Sequence, residues 1–140
     1  MRILPADSTD DLILGVVREW VAMLSSGDYV GAYQMMGHED RYGWSPDLIR
    51  KVIEGYGSPK PHRSGHKFRV STVDHASGKP AYRKVERFSE PIDLGDDVIA
   101  IADVLHDLPL DGMWSDLTAR FQVQTCGNDM ILVLEEIHVF

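Results

Sequence analysis

Two carboxylates stand inside otherwise apolar segments of the C-terminal half. Asp103 interrupts the segment Val98–Leu108, and Glu135 interrupts Met130–Val139. The residues that alternate with them are Ile99, Ile101 and Leu105 in the first segment and Ile131, Val133 and Ile137 in the second. A carboxylate in an apolar row loses hydration, which raises its pKa into a range suited to a general acid or base. The pattern allows a proton-transfer site if both rows face a pocket, but it favours a structural role, in which the acids lie at strand ends or pair with Arg120 or Tyr33.

Other residue types with catalytic or metal-binding potential are poorly placed for it. His62 and His66 are four residues apart, but Pro61 and Gly65 prevent the helix that would give this spacing meaning. Cys126 is the single cysteine, which excludes an internal disulfide and a multi-cysteine metal site. The remaining histidines that neighbour acids, His38, His75 and His106, fit solvated turns and strand ends. No nucleophile elbow, dinucleotide fingerprint, phosphate-binding loop or CxxC pair occurs, so we expect no metal and no cofactor.

The first 57 residues predict three helices. Ser8 and Asp11 form a capping pair before a helically spaced apolar stripe from Leu12 to Leu24, which Gly27 ends. Asp28 is the predicted N-cap of a second helix over Tyr29–Met36. Ser45-Pro46-Asp47 is a third start signal, with Pro46 at the first helical position.

The rest of the chain predicts strands. A first pair, Phe68–Asp74 and Ala81–Phe88, is joined around Ser77–Pro80, and three further strands, Val98–Leu108, Leu117–Thr125 and Met130–Val139, follow as an antiparallel meander. Helices followed by strands, in 140 residues, predict one α+β domain with its helices on one face of a mainly antiparallel sheet. The other face of the last strand, formed by Met130, Leu132 and Leu134, is also apolar, which predicts a homodimer through the sheet.

The segment Trp20–Tyr33, with Ser26-Gly27-Asp28-Tyr29 between its first two helices, resembles the NTF2-like superfamily. The blocks Trp114–Phe121 and Leu134–Phe140 also resemble uncharacterised bacterial domains. The superfamily resemblance implies residues 1–140 folded as a half-barrel, with a pocket between helices and sheet and frequent dimerisation. The residues predicted to line this pocket are Trp20, Tyr33, Ile101, Phe121 and Trp114. In the ketosteroid-isomerase-like branch a pocket carboxylate removes a proton beside a carbonyl. That role would fall to Asp103 or Glu135, with Tyr33 on the substrate oxygen.

Charge is strongly segregated along the sequence. Ten of the 14 Lys and Arg residues lie between Arg50 and Arg87, with three acids among them, whereas from Glu90 onward eleven acids accompany one base, Arg120. A net charge of −8 argues against nucleic acid despite the basic segment. Acid-rich surfaces suit a small protein that neutralises a basic one, although acidic turns also simply maintain solubility.

Two functions from different classes follow. The first is a non-catalytic binding module, of the immunity type that neutralises a basic toxin. The alternative is a small apolar ligand site or a ketosteroid-isomerase-like enzyme. The polar N-terminus and the absence of a long apolar stretch predict a cytoplasmic protein without a membrane span. Pocket depth distinguishes the two functions, because a filled interior favours the module and an open apolar cavity favours the enzyme.

Overall fold

The computed structural model describes residues 1–140 and has three α-helices and a curved, open five-stranded antiparallel sheet. The helices are α1 (Asp10–Ser25), α2 (Tyr29–Met35) and α3 (Pro46–Glu54), and short 3₁₀ turns span Asp40–Tyr42 and Val73–His75. The strands are β1 (Leu4–Pro5), β2 (Arg83–Gly95), β3 (Val98–Leu110), β4 (Met113–Cys126) and β5 (Asp129–Val139). Their order is β1-β5-β4-β3-β2, so the predicted α+β class and the antiparallel meander of the last three strands are confirmed. No helix has the length and hydropathy needed to cross a membrane.

Side-chain caps explain where the three helices begin. Asp28 accepts a hydrogen bond from the backbone N–H of Gly31 at 2.8 Å, and the Ser45 hydroxyl accepts one from Leu48 at 3.0 Å, as predicted. The predicted cap of α1 was wrong by one residue. Thr9 accepts from the N–H of Leu12, because the Ser8 hydroxyl donates instead to the carbonyl of Pro5 at 2.6 Å.

The predicted strand Phe68–Asp74 and its hairpin are wrong. This segment is irregular and meets the sheet through an isolated bridge between Val70 and Leu110. The reason is that β2 already occupies the edge of β3 as far as His106, so only the last residues of β3 remain free. The hairpin partner of β2 is β3, through a tight turn at Asp96 and Asp97, whose φ angles are +53° and +61°.

The space between the helices and the sheet is filled by side chains. Trp20 on α1 meets Phe121 on β4 edge to face, with ring centroids 5.0 Å apart, and both residues are 0% exposed. Around them pack apolar residues of all three helices and of β3, β4 and β5. The interior pocket that the family resemblance implied is therefore occupied by the protein's own core.

Two irregularities in the sheet overturn the predicted faces of β3 and β5. A register shift between Ala100 and Ala102 lets Ile101 pack against the core, whereas Asp103 lies on the face away from the helices, which we call the outer face. A second shift pairs Arg120 with Glu136 but Phe121 with Leu134, so that Glu135 is an extra residue.

The strict alternation predicted for these strands is therefore wrong. Met130, Leu132 and Leu134, the predicted second apolar face, are buried in the core together with Ile137. The middle of the outer face is polar, since Glu86, Asp103 and Gln122 form one cross-strand row. The argument for a dimer from two apolar sheet faces does not hold.

Because Phe121 is enclosed, we expect Phe121→Ala to lower the free energy of unfolding by about 3–5 kcal/mol. Urea denaturation measures this loss, with Gln122→Ala on the outer face as the matched control, for which we expect a cost of about 1 kcal/mol or less. A comparable small cost for Phe121→Ala would show that the interior is not tightly packed.

Candidate functional site

The two carboxylates singled out from the sequence do come together, but on the outer face. Arg120 on β4 donates through Nη2 to Glu135 Oε2 at 3.2 Å and to Glu136 Oε1 at 3.3 Å. Asp103 on β3 lies within electrostatic range of the same guanidinium. We call these four residues, Asp103, Arg120, Glu135 and Glu136, the outer-face charge cluster.

Burial and the arginine act on these acids in opposite directions. Partial desolvation raises the pKa values of Asp103 and Glu135 above their usual range, and the positive charge of Arg120 partly offsets both shifts. The sheet irregularity explains this placement, because the extra residue at Glu135 brings two successive acids beside Arg120. The backbone carbonyl of Glu135 also accepts a hydrogen bond from the indole of Trp44 at 3.0 Å, which fixes this point of β5.

The cluster borders a shallow cleft of about 250 Å³ on the outer face. Its wall consists of Tyr82, Lys84, Glu86, Leu105 and Phe140, together with Asp103 and Arg120. Lys84 pairs with Glu86 at 2.7 Å. The cleft is therefore lined mainly by charged groups that neutralise one another, and it suits a polar contact better than an apolar substrate.

The other predicted site residues are dispersed. Tyr33 stacks on His38, with ring centroids 3.9 Å apart, and makes no hydrogen bond to Asp103 or Glu135. Trp20 and Phe121 are core residues, and Ile101 packs at the core's margin. Trp114 is half-buried, with the Arg83 guanidinium 5.4 Å from its ring centroid. The five predicted lining residues thus enclose no common cavity, and no group of three or more His, Cys, Asp or Glu side chains is arranged to hold a metal ion.

A buried polar network at the far end of β3 was missed from the sequence. Asp107 is buried; its carboxylate accepts hydrogen bonds from the backbone N–H groups of Ala81 and Tyr82 at 2.7 and 3.0 Å and from the Thr118 hydroxyl at 2.6 Å. These bonds tie the segment before β2 to the sheet. The pattern His106-Asp107 gave no signal of burial, because it resembles a polar strand end.

His106 was predicted to be solvated, and this was wrong. The imidazole is fully buried, its Nδ1 lies 2.6 Å from the carbonyl oxygen of Asp107, and its Nε2 has no hydrogen-bond partner. Burial lowers the pKa of His106 to about 4. The residue is therefore neutral in the folded protein at physiological pH.

Comparison of the chain with protein-family models, with curated proteins and with solved structures gives no match. The geometry of the chain itself therefore carries the functional argument.

The lowered pKa of His106 predicts a loss of stability in mild acid. The unfolded chain binds a proton near pH 6.5 and the folded protein only near pH 4, so stability is complete above pH 6.5 and falls as the pH drops towards 4. This one group accounts for about 3 kcal/mol across that window. Urea denaturation at several pH values should show a flatter profile for His106→Gln than for the wild type, and His75→Gln, at an exposed histidine, is the control. An unchanged profile for His106→Gln would contradict the assignment.

Removal of the Arg120 charge should change the pKa values of the neighbouring acids. In Arg120→Met the carboxylates lose their cation, so the pKa values of Asp103 and Glu135 should rise further. Titration of the side-chain carboxyl carbons by NMR measures both values directly. The exposed ion pair of Arg18 and Asp74 supplies the control variant Arg18→Met. If both pKa values remained at their wild-type positions, Arg120 would not stabilise the charged acids.

Proposed function

We propose that this chain is a non-catalytic binding module that neutralises a basic protein, as immunity-type proteins do. The observation that carries the proposal is that most acids in the C-terminal half have no Lys or Arg partner. Of the eleven acids from Glu90 onward, only Glu135 and Glu136 pair with a Lys or Arg. Asp107 and Asp116 accept hydrogen bonds from uncharged groups, and Asp111 pairs with His66. The other six acids have no ion pair with a Lys or Arg of the molecule.

The positive charges support the same conclusion, because the protein's own cations do not neutralise these acids. Most bases outside the segment 60–83 form ion pairs with other acids, such as Arg2 with Glu19 and Arg87 with Asp10. The cations without a carboxylate partner all lie within that segment and are Lys60, Arg63, Lys67, Arg69, Lys79 and Arg83. The protein thus carries an uncompensated electric field suited to steering an oppositely charged partner.

The filled interior is a further support. A module that binds protein needs no internal cavity, whereas a ketosteroid-isomerase-like enzyme needs an enclosed apolar pocket around its carboxylate. Asp103 instead lines an open, charged cleft together with Arg120, which also binds Glu135. The raised pKa values of Asp103 and Glu135 favour the enzymatic alternative, but no enclosed apolar pocket surrounds these carboxylates. An NTF2-like relationship, a homodimer and a cytoplasmic location remain predictions that accompany this proposal.

Native mass spectrometry of the protein isolated from its own host at low salt tests the proposal. We expect an added polypeptide with an isoelectric point above about 9. Association of the purified pair should approach ~10⁸ M⁻¹s⁻¹ at low salt and slow markedly as salt is added, since steering is screened. A small added mass per subunit, or a pair whose association rate ignores salt, would contradict the proposal.

A further inference from the structure

One end of the outer face combines exposed apolar side chains with acids. Ile92, Ala100, Gln124 and Ile131 form one cross-strand row over β2, β3, β4 and β5. The next row towards the turns is Gly95, Val98, Cys126 and Asp129. Residues two apart on a strand share a face, so both rows lie on the outer face. We call this region the hairpin-end surface.

The hairpin-end surface exposes several large apolar side chains to solvent. Ile92 is 49% exposed, Leu94 in the same hairpin is 43% exposed, and Ile3 beside β1 is 54% exposed. Ile3, Val98, Cys126 and Ile131 line a cleft of about 230 Å³. Exposed apolar side chains grouped at one end of a sheet are typical of a surface that another molecule covers.

Acids surround this apolar surface. Glu90, Asp93, Asp96 and Asp97 are exposed on the β2–β3 hairpin, and Asp129 stands at the turn between β4 and β5. None of them has a Lys or Arg partner in the structure. The nearest base in sequence to this group, Arg87, is already paired with Asp10. An apolar centre with a mainly acidic rim matches a basic surface that carries apolar anchors.

We propose that the hairpin-end surface is where the chain docks its partner, and that the partner presents apolar side chains within a ring of Lys or Arg. This inference rests on the proposed function and assigns it a location. A second copy docked on the same surface would oppose the acids with identical acids, which costs free energy. Strand addition at the β2 edge is also disfavoured, because Pro91 lacks an N–H and the register shifts between Arg87 and Ile92.

The single cysteine gives a direct readout of this surface. Cys126 is exposed and lies in the lining of the cleft, so a docked partner should shield it. The probe is an amphipathic helical peptide of Lys and Leu, with a peptide of Glu and Leu as its matched control. We expect the Lys peptide to bind at low salt and to slow alkylation of Cys126 by iodoacetamide, whereas the Glu peptide does neither.

Two variants and their two matched controls separate docking here from binding elsewhere. Ile92→Gln should weaken binding of the Lys peptide about tenfold, because it removes an exposed anchor without disturbing the core. Val30→Gln is the matched control, since Val30 is 55% exposed on α2, and it should bind like the wild type. The double variant Asp96→Asn and Asp97→Asn keeps residues that tolerate a positive φ and should slow association, whereas Asp40→Asn should not.

The outcomes distinguish this inference from the proposed function. If the Lys peptide binds but neither protects Cys126 nor responds to Ile92→Gln, the hairpin-end surface is wrong and the basic partner binds elsewhere. If the Lys peptide does not bind at low salt, both proposals fail. A dimer of the chain in sedimentation that Ile92→Gln dissociates would show that a second copy covers this surface, which also overturns the inference.

Discussion

The packing of α1 against β4 through Trp20 and Phe121 is the contact on which the rest of the structure depends. It fills the concave side of the sheet with two of the largest side chains in the chain and leaves neither exposed. Close-packed interiors do not open without large cost. Consequently any recognition by this protein takes place on its exterior, and the location of charge and apolar area on that exterior determines which partners it accepts.

The charge of the exterior changes from basic to acidic along the length of β2. Its first residues, Arg83 and Lys84, belong to the basic end of the protein, and its last residues lead into the acidic turn at Asp96 and Asp97. At the usual rise of a strand these ends are separated by at most about 40 Å, several Debye lengths at physiological salt. The two charges therefore act as separate surfaces. At the acidic end the exposed apolar side chains of Ile92, Leu94 and Ile3 lie beside acids that have no Lys or Arg partner, which is why we assign partner binding to it.

The fold class could be predicted because it follows from short-range sequence patterns. The apolar stripe from Leu12 to Leu24 and the caps Asp28 and Ser45 are short-range features, and the structure contains the helices that they imply. The strand prediction for Phe68–Asp74 was wrong because no free strand edge remains for this segment to pair with. The availability of an edge depends on the whole sheet and not on the segment.

The prediction of the candidate site was wrong for a different reason. Alternation along β3 and β5 assigned Asp103 and Glu135 to rows that would face the helices, whereas the structure places both beside Arg120 on the outer face and has an irregularity in each strand. No residue type announces such a bulge in one sequence. Likewise, the burial of His106 and Asp107 depends on the segment before β2 folding over them, a long-range contact that neighbouring residues do not encode.

Hydrogen–deuterium exchange with and without the Lys and Leu peptide tests the central claim, that recognition uses the exterior at the hairpin end and leaves the core untouched. The account predicts slower exchange in residues 90–99 and 124–131 and unchanged exchange in α1. Protection of α1 together with residues 117–123 of β4, or of the basic loop 58–69, would contradict it.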